Sequence, residues 1–203
     1  MRSRRTATPP LNLSVRGMPF SHATPYSKLT DEQHMLIGMF VSEWATAEFY
    51  LGLVLGRLLL APEYLSRTYT DSLGAAQLQD SIRQAVGIQK ERYSGKLVAD
   101  DLLDEVLALN RKIEHLRSLR NKFAHFCWMR ASDEEMFGTN FSGAAPNDKR
   151  HKRSFASLKV DEIRQQHQEL FRAVERLRTI VGEIPEVSEE AAIAAFKASR
   201  DGL

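Results

Sequence analysis

Arginine, asparagine and histidine stand close together in Arg120-Asn121-Lys122-Phe123-Ala124-His125. Their chemistries are complementary. Histidine is the side-chain type that gains and loses a proton near neutral pH, so His125 suits general acid–base work. An arginine carries a permanent charge and a planar set of donors, which suits Arg120 to an oxygen gathering negative charge. Asn121 can orient either partner. At about 100° per residue, Arg117, Asn121 and His125 follow one another at four-residue steps along one flank of a helix. Arg120 and His125 leave that helix about 140° apart, so only the long guanidinium arm or a second copy of the helix brings them together.

The helix that must carry this cluster starts near Asp100 and Asp101, whose charges favour a helix N-terminus, and runs to about Phe126. Leu102, Val106, Leu109, Ile113, Leu116, Phe123 and Cys127 form its apolar stripe, and position 120 is the missing member. Arg120 is therefore expected near the middle of a buried face, where an unpaired charge costs several kcal/mol (roughly). The first helix has a matching oddity. Its stripe of Ile37, Val41, Trp44, Leu51 and Leu55 places Glu48 near the centre, so a Glu48–Arg120 pair is the simplest expectation.

Around these helices the chain reads as all-α. Residues 1–29 form a basic, proline-containing tail expected to be disordered, or an overlong start. Thr30-Asp31-Glu32-Gln33 is a capping box opening a helix to about Leu60, ended by Pro62. A weaker helix fits Gly74 to Ile88, with Leu78, Ile82 and Ala85 inward, and residues 63–73 allow one short helical turn. Residues 129–157 break the pattern with Gly138, Asn140, Gly143 and Pro146, followed by Lys149-Arg150-His151-Lys152-Arg153. Strands around 126–130 or 137–141 are conceivable there. A helix resumes from about Lys159 to Gly182 and stops at Pro185. A domain over 30–185 with a C-terminal helical tail over 186–203 follows.

At Arg120–His125 the sequence resembles the HEPN superfamily, in which an arginine, often followed by asparagine, precedes a histidine by four to six residues. The -RN-x-F-A-H- form is also similar to the mannitol operon repressor family. The resemblance covers about residues 30 to 183 in layout, and only the six-residue motif is specific. It implies a bundle of four to five helices with a long irregular or hairpin-containing insertion before the fourth main helix. It also implies metal-independent endoribonuclease chemistry, with Arg120, Asn121 and His125 as catalytic residues in the cleft of a homodimer and Glu48 in support. Arg117, Lys122, Lys149, Arg150, Lys152 and Arg153 would then hold RNA. Toxins of this kind often pair with a nucleotidyltransferase-type antitoxin. The other reading is a non-catalytic regulator or interaction module in which the motif survives as architecture.

Bulk properties narrow the classes without choosing between those two. The 203 residues carry a net charge of +2, which gives little support for a nucleic-acid partner by charge alone. One cysteine, Cys127, allows no disulfide within this chain and fits a cytoplasmic setting. His22, His34, His115 and His151 have no metal-ligand spacing, so no metal or cofactor is expected. His167 interrupts the stripe of the late helix and reads as a core histidine.

Overall fold

A computed structural model describes residues 28–92, 97–140 and 154–201. The tail over 1–27 and the basic run Lys149–Arg153 lie outside the described residues. Six helices and three strands make up the described part. Helix α1 (Asp31–Leu58) begins at the expected capping box: Thr30 Oγ1 accepts from the Gln33 backbone N–H, and Gln33 Oε1 accepts from Thr30 N. It ends in a Schellman turn, with Leu60 at φ 53° and Ala61 N–H donating to Gly56 O.

Helix α2 (Glu63–Thr70) folds back over α1, and α3 (Ala75–Arg92) then lies along it. The α1–α2 approach is close because Gly56 has no Cβ; one added there would stand 2.5 Å from Ser66 Oγ. Helix α4 (Asp100–His125) leads into β1 (Cys127–Arg130), β2 (Glu135–Asn140) and β3 (Ser154–Lys159). Helices α5 (Val160–Glu183) and α6 (Glu189–Asp201) follow. Pairs Glu32–Arg164 near one end and Arg57–Glu186 near the other show that α1 and α5 run parallel. The Arg176–Glu105 pair and the Gln79–Asn110 contacts place α4 between α5 and α3.

The fold is a mostly helical bundle, and the expected insertion between helices carries a small antiparallel sheet in the order β1-β2-β3, which qualifies the all-α reading. Five of the six described helices lie within 30–185, and α6 falls in the segment expected to be a C-terminal helical tail. Phe126–Arg130 and Phe137–Phe141 were ambiguous because each is too short for a period to declare itself, and β3 gave no signal at all. Pairing settles the register: Trp128 faces Gly138, and a Cβ there would stand 2.7 Å from the Trp128 ring. Gln33 ties this sheet to α1, its Nε2 donating to Ser132 O at 2.8 Å.

The buried stripes agree with expectation at Trp44, Leu51 and Leu55 of α1 and at Val106, Leu109, Ile113, Leu116 and Phe123 of α4. They shift by one position elsewhere, and Cys127 is exposed in β1. Leu36, Phe40, Trp44, Ala47 and Leu51 fill α1, and Leu103, Val106, Leu109, Ile113, Leu116, Leu119 and Phe123 fill α4. Ala47 therefore occupies the place expected for Glu48, and Leu119 the place expected for Arg120. A 3.6-residue period accepts steps of three or four, so Leu116-Leu119-Phe123 continues the stripe as well as position 120 would.

Candidate functional site at the end of helix α4

Helix α3 explains where the motif ends up. Gln79, in its second turn, already sits beside Asn110 and Arg117, and α3 begins only at Ala75. Past that level α3 no longer accompanies α4. Arg120 is half-buried, and its Nη1 donates to Asn121 Oδ1 at 3.3 Å. Glu48 is also half-buried, and among the described residues neither a hydrogen bond nor an ion pair joins it to Arg120. The expected core pair is absent because each charge sits one position off its stripe.

What holds the last turn of α4 is the sheet. Phe123 is buried, its ring 5.2 Å from Phe40 and 5.6 Å from Trp128. Trp128 Nε1 donates to Lys122 O at 3.2 Å, a second bond on a carbonyl that already accepts from Phe126 N–H at 2.9 Å. Asn121 and His125 are left exposed, one above the other.

They line a shallow polar groove of about 410 Å³ together with Glu114, Arg117, Lys122 and Asn140. Arg117 is engaged within the fold, donating to Gln79 Oε1 at 2.9 Å and standing 3.7 Å from Glu114. Lys122 has no ion pair among the described residues, which leaves its ammonium as the cation free to meet an anion beside His125. Arg120 does not line this groove. The four-residue spacing of α4 located Arg117, Asn121 and His125 in one place; Lys122 joins them there, and Arg120 falls outside the lining. Asn140 was missed, since it arrives from β2 and no helical spacing points to it. Lys149, Arg150, Lys152 and Arg153 lie outside the described residues.

Other ionisable groups sit between helices. Burial against α5 raises the Glu43 carboxyl above the usual range, with Glu175 adding to the rise and His167 opposing it. His167 is half-buried there, not enclosed. Hydrogen bonds from Arg176 hold Glu105 below the usual range. Among the described residues no group of three or more His, Cys, Asp or Glu side chains is placed to hold a metal ion. No described helix is long and apolar enough to cross a membrane. Compared with known proteins, the chain matches no family model, no curated protein and no solved structure.

Proposed function

We propose that this chain is a HEPN-type endoribonuclease whose working groove is built around His125 at the end of α4. The observation supporting this reading is the stacking of Asn121 and His125 on an exposed polar groove with Lys122 beside them. In this reading a 2′-hydroxyl of RNA attacks the adjacent phosphorus as its proton leaves. The phosphorus–O5′ bond then breaks, the O5′ takes up a proton, and a cyclic phosphate remains on the other fragment. His125 moves one of those protons, and Lys122 and Asn121 hold the phosphate oxygens. Arg120 reaches the phosphate from a second protomer, because within one protomer it does not line the groove and its Nη1 is bonded to Asn121 Oδ1. The assembly is thus a homodimer with facing α4 ends. A nucleotidyltransferase-type protein partner belongs to the same reading.

The position of Arg120 also favours a second reading, a non-catalytic regulator or interaction module like the mannitol operon repressor family. One experiment separates the two. Purified protein is incubated in EDTA with a broad RNA panel, and the new ends are identified chemically. Cyclic-phosphate ends that fall about 10²- to 10⁴-fold with His125→Ala support cleavage. Intact RNA, or equal cutting without His125, replaces it with the regulatory module.

A further inference from the structure

On the other side of α4 lies a larger groove, about 670 Å³, closed on its far side by α5. None of its lining residues lines the groove at His125. Its floor is apolar, formed by the buried Leu109, Leu116 and Ala173. Its walls are cationic: Arg111 and Lys112 come from α4, and Arg172 and Arg176 from α5.

The pairing of these cations is uneven. Arg176 is clamped by Glu105, with Nε and Nη2 each 2.6 Å from a carboxylate oxygen, and by Glu183 at 2.7 Å. Arg111, Lys112 and Arg172 have no ion pair among the described residues, although Arg57, Arg67, Arg83, Arg130, Arg164 and Arg178 all do. Two carboxylates share the groove. Glu105 is neutralised by Arg176, and Glu169 accepts from Gln165 Nε2 at 3.0 Å. Three unpaired cations around an apolar floor repel one another when the groove is empty and attract an anion that brings its own apolar part. The size falls within the range of about 300–1,000 Å³ common for small-molecule sites.

We propose that the α4–α5 groove binds an organic phosphate, a ligand with an apolar or aromatic body on Leu109, Leu116 and Ala173 and phosphate oxygens on Arg111, Lys112 and Arg172. Glu169 sets the orientation by repelling phosphate from its end of the groove. This site does not depend on the cleavage reading, because it shares no residue with it.

Calorimetric titration with ADP, inorganic pyrophosphate and a short single-stranded RNA tests it. ADP binds, and pyrophosphate binds more weakly because it leaves the floor uncovered. The exposed Arg111→Ala and Arg172→Ala each weaken ADP by about tenfold, the value of one charge-assisted hydrogen bond. Glu169→Gln tightens binding, a gain that a misfolded variant cannot imitate. His125→Ala binds ADP like the unaltered chain. Competition between the RNA and ADP assigns the phosphate to a nucleotide within a strand; its absence assigns it to a free ligand. If neither ADP nor RNA binds, or if both bind Arg111→Ala and Arg172→Ala undiminished, the groove is a solvated face and the proposal falls.

Discussion

Two stretches of α4, about three turns apart, treat the same residue types in opposite ways. Around Asn110 the helix is enclosed: the Asn110 amide donates to Gln79 O at 3.0 Å and the residue is 1% exposed. Around Asn121 the amide faces solvent and its oxygen accepts from Arg120. Arg117 and Arg120 repeat the contrast over less than one turn, the first fixed to Gln79 and Glu114, the second bonded to its own neighbour. The difference comes from the partner helix, which begins at Ala75 and reaches no further. Polar groups in the first stretch specify packing. Those in the second meet solvent and one another.

Substituting an aspartate at each asparagine breaks or sharpens this contrast most strongly. Asn110→Asp puts a carboxylate where a buried donor meets a carbonyl, and about 3 kcal/mol of stability should be lost. Asn121→Asp should stay within about 0.5 kcal/mol. Chemical denaturation measures both, and equal losses would erase the distinction between the stretches.

The sheet that supports the exposed end is tested next. Gly138→Ala pushes a methyl to 2.7 Å from the Trp128 ring and should cost about 1–3 kcal/mol by overpacking. A shift in tryptophan emission should accompany the loss, because Trp128 must move off Lys122 O and Phe123.

The arginines give a smaller contrast. Arg117→Ala leaves Gln79 Oε1 without its donor and should cost about 1–2 kcal/mol, whereas Arg120→Ala should change the melting free energy by less than about 0.5 kcal/mol. A large loss at Arg120 would restore the buried pair that its spacing implied.

Smallest are the pH effects at the two shifted carboxylates, which carry opposite signs. Glu105 is lowered by Arg176, so its contribution is present above the ordinary glutamate range and is lost as pH falls through the lowered value. Glu105→Gln should therefore destabilise at neutral pH and become neutral in acid, by a small, salt-screened amount. Glu43 is raised by burial, so its charged form costs stability above the raised value. Glu43→Gln should stabilise slightly at neutral pH, with the gain fading as pH falls through the ordinary glutamate range. Melting curves across that range, with and without salt, report both.

Helices were largely legible because their signals are local. The Thr30–Gln33 box, the acids at Asp100 and Asp101, and the stop at Pro62 each act within one or two turns of where they stand. Stripe assignment was less secure, since Leu119 and Arg120 or Ala47 and Glu48 differ by one residue and only the neighbouring helix decides which turns inward. The strands were hidden for another reason. Met136 and Phe137 are both buried, so β2 does not alternate, and its pairing with Leu158 and Ser157 depends on residues far along the chain. Of the candidate site, the cluster from Arg117 to His125 was readable from four-residue spacing, while the separation of Arg120 and the arrival of Asn140 depended on α3 and β2. The α4–α5 groove had no signal, because its cations come in ones and twos from two helices.

One amide joins the beginning of the fold to its middle. Gln33 caps α1 and also donates to Ser132 O, 99 residues later. During synthesis at about 5–20 residues per second, that interval lasts roughly five to twenty seconds. Through it α1 has its cap but not its tie to the sheet, and the flank that will meet α4 and α5 has nothing to cover it. The junction at Ser132 can close only after α4 has emerged. The first helix of this chain thus stays partly uncovered even after the turn at Ser132 has closed, until α5 has emerged as well.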